Sequence, residues 1–98
     1  MQNFRTYQLA LSLAKESRSL NLKGNYRDQF ERAMLSVALN LAEGSAKPTM
    51  KDQRKFFYTA LGSLREIQAL VAVLGLGSIE KKADVLGAHI YRLCTQLQ

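Results

Sequence analysis

Five cations fall between residues 47 and 65: Lys47, Lys51, Arg54, Lys55 and Arg65, with Tyr58 among them. Cations aligned on one helix face can follow a phosphate backbone, and an exposed aromatic ring offers a surface on which a base can stack. An ordinary solvated helix face uses the same residue types, so this reading stands beside a purely structural one. Other chemistries lack parts. Glu43 and Glu66 could form a general acid–base pair, but no nucleophile or metal-ligand set accompanies them. The single histidine, His89, has Leu86 three residues before it, so the Glu-x-x-His pair of a di-iron bundle is missing. Cys94 follows His89 by five residues and has no second thiol, which argues against zinc. Gly75 and Gly77 lack the flanking pattern and the lysine of a phosphate loop. Neither enzyme activity nor a cofactor is expected.

Charge and composition narrow the class. The chain has 98 residues, 47% hydrophobic and 22% charged, with a formal charge of +6. Its pI is about 9.8, in the range where nucleic-acid partners become relevant. The excess is uneven: residues 1–24 carry a net +3, 25–46 a net −1, 47–74 a net +3 and 75–98 a net +1. One domain is expected at this length. The apolar fraction excludes disorder, and a single cysteine excludes a disulfide framework. No apolar run in the sequence approaches the ~20 residues of a bilayer span. The apolar stretch at residues 9–14 is closed by Lys15 and Glu16, so no export signal is read and a reducing, cytoplasmic setting is expected.

The elements that must position these residues are helices. Apolar periodicity predicts four, at about 4–22, 26–43, 50–74 and 79–97. Phe4, Tyr7, Leu11 and Ala14 mark the first, and Ile79, Ala83, Leu86, Ile90, Leu93 and Leu97 form the stripe of the fourth. Asn25 is the expected cap of the second helix and Gly44 its left-handed stop. Thr49, after Pro48 and three residues before Asp52, is the expected cap of the third, which Gly75 ends, and Ser78 that of the fourth. Connections this short make an all-α, antiparallel up-down-up-down four-helix bundle the expected fold.

Helical angles sort the side chains. On the third helix, Phe56, Phe57, Ala60, Leu61, Leu64, Ile67, Val71 and Leu74 share the core face, while Lys51, Arg54, Lys55, Tyr58, Gly62 and Arg65 lie opposite. The second helix has two ridges: Phe30, Ala33, Met34, Val37 and Leu41, and more than about 100° away Leu35, Leu39 and Ala42. One core cannot cover both, so the second ridge points to a subunit interface, unless the bundle wraps tightly enough to bury it. Gln29, Arg32, Ser36, Asn40 and Glu43 form a polar wedge on that helix. Gly62 and Ser63 interrupt the third helix and suggest a close approach to this wedge, with Asn40, Glu43 and Glu66 in a structural hydrogen-bond network.

Two paired motifs carry a family resemblance. Residues 36–44, Ser-Val-Ala-Leu-Asn-Leu-Ala-Glu-Gly, follow Arg32, and Gly62-Ser63-Leu64-Arg65-Glu66 stands on the next helix. The chain resembles the bacterial four-helix-bundle proteins encoded in intervening sequences of large-subunit ribosomal RNA genes. Arg32, Ser36, Asn40, Glu43, Gly44, Gly62, Ser63 and Glu66 match that pattern position for position. The resemblance covers the chain after Asn25, while the first helix matches only in length and apolar pattern. It implies a bundle assembling into a ring, commonly a homopentamer, with motif residues that are structural. The same fold serves the accessory variability proteins of diversity-generating retroelements, basic pentamers that bind reverse transcriptase and nucleic acid.

The expectation is a non-enzymatic homo-oligomer that binds RNA or DNA through phosphate contacts from Lys47, Lys51, Arg54, Lys55, Tyr58 and Arg65. Its interface would be Leu35, Leu39 and Ala42, and its structural network Arg32, Ser36, Asn40, Glu43, Ser63 and Glu66. The alternative is an oligomeric scaffold for a protein partner, such as a reverse-transcriptase-like polymerase, with no direct nucleic-acid role. Neither reading involves a membrane.

Overall fold

A computed structural model describes residues 2–96, and these form four helices and no strand. The helices are α1 (Gln2–Ser17), α2 (Gly24–Ser45), α3 (Met50–Leu74) and α4 (Gly77–Thr95). Leu97, assigned from the sequence to the fourth helix, lies outside the described residues.

Helix ends depart from expectation where a partner distant in sequence fixes them. α1 stops at Ser17 instead of continuing to residue 22. The Ser17 hydroxyl donates to Ala14 O at 2.8 Å, and in the turn that follows the Ser19 hydroxyl donates to Glu16 O at 3.0 Å. Arg27, from α2, then donates to the carbonyls of Ser17 and Leu20. These bonds satisfy the carbonyl groups that a helix end leaves open. Asn25 does not cap α2, because the helix already begins at Gly24 behind an extended Lys23 that makes no side-chain cap. Gly44 is no left-handed stop either. It is buried in the last turn of α2, where a Cβ would stand 2.7 Å from Phe57 Cε1, and the helix ends one residue beyond it with the Ala46 N–H on Glu43 O at 3.2 Å and the Lys47 N–H on Gly44 O at 3.1 Å. The requirement at Gly44 is space for a ring.

Both ends of α3 are set locally. Thr49 Oγ1 accepts from the Asp52 N–H at 3.1 Å, and Gly75 at φ 70° turns the chain out of the helix. Leu76 N–H reaches back to Val71 O at 2.9 Å, and Ile79 N–H bonds Leu76 O at 3.2 Å. That turn starts α4 at Gly77, so Ser78 lies within the helix and is not its cap.

Side chains from all four helices fill one core, with Leu13, Phe30, Leu41, Phe57, Leu64, Ile67, Ile79, Leu86 and Ile90 essentially sealed from solvent. Each such burial contributes roughly 1.5–3 kcal/mol. α2 packs on α1 and α3, α4 packs on α1 and α3, and neither diagonal pair touches among the described residues. Going up α2 from Arg32 through Ser36 to Gly44, the partners on α3 go down from Glu66 through Ser63 to Phe57. Lys82 ties α4 to α1, at 2.9 Å from both Glu16 Oε2 and Ser12 Oγ.

α1 turns an unexpected face inward. Its buried positions are Thr6, Ala10, Leu13 and Ser17, whereas Phe4 is 64% exposed and Leu11 is also exposed. The marked periodicity of Phe4, Tyr7, Leu11 and Ala14 therefore runs beside the core. Among the described residues, α3 is the one helix long and apolar enough to cross a bilayer by length and composition. Its Phe57, Ala60, Leu64, Ile67 and Val71 are instead buried among the other helices. With 25 residues it spans most of the 41 Å length of the bundle, so residues on its outer stripe line the molecule nearly end to end.

Candidate nucleic-acid interface

Core packing rolls α3 so that Lys51, Lys55, Tyr58, Gly62 and Arg65 face solvent. The sequence-nominated cations do not all behave alike. Lys51 is exposed and makes no hydrogen bond or ion pair among the described residues. Lys47 and Lys55 flank the Phe56 ring, with their ammonium groups 5.1 and 5.3 Å from its centroid. Such contacts contribute ~0.5–1 kcal/mol at exposed sites and restrict two otherwise mobile side chains. Phe56 is thus half-buried, a support for lysines as much as a core residue.

Arg54 is half-buried and leans across to α4, donating to Gln96 O at 3.2 Å. Arg65 is exposed but engaged: its Nη1 donates to Gln68 Oε1 at 2.8 Å, and Gln68 Nε2 donates to Asp84 Oδ1 at 2.9 Å. The positive stripe is therefore held in place at Lys47, Arg54, Lys55 and Arg65, and free at Lys51. Pinned cations lose less side-chain entropy when an anion arrives. The connection before α3 is also fixed, by Gln53 Nε2 donating to Lys47 O at 3.1 Å.

The polar wedge joins α2 to α3. Ser36 and Ser63 hydroxyls meet at 2.7 Å, and Asn40 Nδ2 donates to Ser36 O at 2.9 Å and to Ser36 Oγ at 3.3 Å. Arg32 and Glu66 form a separate exposed ion pair at 3.8 Å, a distance and exposure that contribute little stability. Glu43 is exposed, and its carboxylate makes no hydrogen bond or ion pair among the described residues. Gly62 has no close neighbour at all: a Cβ there meets nothing within 4 Å. The expected close approach of helices at Gly62 itself is absent, and α3 meets the wedge through Ser63 and Glu66 instead.

On the other side of the molecule, Leu35 and Leu39 are 58% and 57% exposed, and Ala42 is exposed beside them. Phe4 and Leu11 of α1 flank this ridge. Two shallow grooves run between the helices, one of about 380 Å³ lined by Leu11, Met34 and Leu35, the other of about 230 Å³ lined by Phe4, Tyr7 and Ala42. Residue angles on α2 located its half of this face. The α1 half escaped notice because Thr6 and Ser17, polar residues that signal an outer face, take the core positions.

Cys94 and His89 both lie on α4. Burial pushes the Cys94 thiol up from 9.0 to about 11, with the nearby Arg65 charge opposing the shift. His89 Nδ1 lies 2.9 Å from Val85 O within its own helix. Among the described residues no group of histidines, cysteines and carboxylates is placed to hold a metal ion.

Four helices around a single core, with a cationic stripe along the third, define an all-α bundle protein of +6 formal charge. The chain belongs to the 23S rRNA-intervening sequence protein family, whose model matches residues 2–98. Comparison with curated proteins and with solved structures gave no match.

Proposed function

We propose that the protein is a non-enzymatic nucleic-acid-binding or ribonucleoprotein accessory protein, built as an antiparallel up-down-up-down bundle and acting as a homo-oligomer in the cytoplasm. The observation that carries this reading is the outer stripe of α3, where Lys51, Lys55, Tyr58 and Arg65 share one exposed face and Lys47 and Arg54 extend it. A stripe of this kind binds phosphates with little sequence choice, since no base-reading element accompanies it. The family is named for a ribosomal RNA intervening sequence, which agrees with an RNA-associated role.

Self-assembly is proposed through the outer face of α1 and α2. A lone domain rarely exposes a contiguous apolar patch like that around Leu35 and Leu39. The resemblance drawn from the motifs implies a ring of five. The α1/α2 face and the α3 stripe belong to different sides of the bundle, so association at one leaves the other open to a ligand.

Binding of a labelled RNA at about 50 mM salt tests the reading. Joint charge reversal of Lys51, Arg54 and Lys55 should weaken it at least tenfold and flatten its dependence on salt. Undetectable binding by the wild-type assembly, or an unchanged affinity after reversal, rejects it. The second reading, a scaffold for a protein partner, draws on the two apolar grooves between α1 and α2. A partner retained through nuclease treatment and high salt would favour it.

A further inference from the structure

Tyr91, which the sequence patterns did not single out, belongs to the same surface as the α3 stripe. It is 53% exposed on α4, and Tyr58 is 49% exposed on α3. Two contacts between these helices fix their register: Arg54 with Gln96 O near one end, and Gln68 with Asp84 farther along. The groove that two packed helices leave between them runs roughly 20 Å from one contact to the other at 1.5 Å per residue. By that register Tyr91 stands level with Tyr58 to within about one helical turn, on the opposite bank. On the α3 side Arg54 stands at one end of the groove and Arg65 about one turn short of the other, where Gln68 bonds the Asp84 carboxylate. Gly62 follows Tyr58 by one turn on the same exposed stripe, with open space where a side chain would project.

Resting on the proposed nucleic-acid role, we infer that the α3/α4 groove holds a single strand of RNA, with bases stacked on Tyr58 and Tyr91 and phosphates on Arg54 and Arg65. Three observations favour an unpaired strand over a duplex. Large aromatic rings exposed on a helical surface gain by covering a base face, which a duplex does not offer. The cations stand at one groove end and near the other, spaced for a backbone passing along it. Gly62 lets that backbone approach the helix closely. RNA is favoured over DNA because each tyrosine carries a hydroxyl that can bond a ribose 2′-OH.

The test measures anisotropy of a short labelled RNA strand, the DNA strand of the same sequence and the RNA duplex, at about 50 mM salt. The RNA strand should bind most tightly. Tyr58→Leu and Tyr91→Leu should each weaken strand binding about tenfold, and Tyr91→Leu should leave duplex binding within about twofold. Joint Tyr58→Phe and Tyr91→Phe substitution should keep strand binding and erase the preference for RNA. The chain has no tryptophan, so tyrosine emission of the wild-type protein, which stacking should quench, gives a readout that needs no variant. Equal affinity for strand and duplex, equal affinity for RNA and DNA, or unquenched emission overturns this inference while leaving general phosphate binding in place. Loss of self-association in the leucine variants overturns it too, by making the groove a subunit contact. Failure of every probe to bind removes the proposed function itself.

Discussion

A methyl group added at Gly44 would stand 2.7 Å from Phe57 Cε1 and 3.0 Å from Phe56 Cβ, and Phe57 is itself sealed in the core with no room to retreat. Gly44→Ala should therefore destabilise the protein by about 1–2 kcal/mol, the overpacking cost less the gain in helix propensity. At Gly62 the same methyl meets open space, so Gly62→Ala should stabilise by up to ~1 kcal/mol. Urea denaturation at matched protein concentration reads both, and the opposite signs are the expected result. The two motif glycines, Gly44 in the last turn of α2 and Gly62 in the interior of α3, thus have unrelated reasons. The ring that decides Gly44 comes from thirteen residues further along the chain. The cations were easier to place, because a stripe at helical spacing needs only the helix to exist. Their partners, Phe56, Gln68 and Gln96, depend on how the helices are rolled and crossed.

At the level of elements, Arg27 decides where α1 ends. Its guanidinium donates to the carbonyls of Ser17 and Leu20 and sits 3.5 Å from Glu31 Oε2. Arg27→Ala should cost about 1–2 kcal/mol, because hydrogen bonds from a charged donor to otherwise open carbonyls are lost. Lysine should restore less than half of this, having no planar fork to span two oxygens. Glu31→Gln should change stability by less than ~0.5 kcal/mol, since Glu31 is well exposed. Thermal melts rank the three, and faster amide exchange confined to the segment after Ser17 would locate the loss in Arg27→Ala. This contact explains why the limits of α3 were readable and that of α1 was not. Thr49 and Gly75 act on residues three or four positions away, within the range of a sequence motif. The end of α1 is fixed by a side chain ten residues downstream of Ser17. The rotation of α1 was hidden for a related reason. Its core positions include Thr6 and Ser17, so apolar periodicity pointed to the neighbouring face.

For the whole molecule, the apolar ridge and the cationic stripe lie on different helices, although Arg5, Lys15 and Arg18 make α1 cationic as well. Phe4, Leu11, Leu35 and Leu39 lie on α1 and α2, and Lys51, Lys55, Tyr58 and Arg65 on α3. In the proposed assembly this division matters for affinity. One chain carries +6, and its stripe alone offers few phosphate contacts. Several chains joined through α1 and α2 present several stripes to one nucleic acid, and each further contact is made at a high effective concentration. Assembly and binding should then be coupled. Leu39→Glu should shift the light-scattering mass toward the 11.0 kDa of a single chain at micromolar concentration. Leu39→Gln, which adds no charge, should also loosen the assembly, and it isolates the effect on binding. If stripes act together, that variant loses well over tenfold in RNA affinity and its salt dependence becomes shallower, though no cation has changed. If each chain binds alone, affinity and salt slope stay with the wild type while the mass falls. A wild-type mass of 11.0 kDa would instead reject self-assembly, and with it the oligomer that both the nucleic-acid and the scaffold readings require.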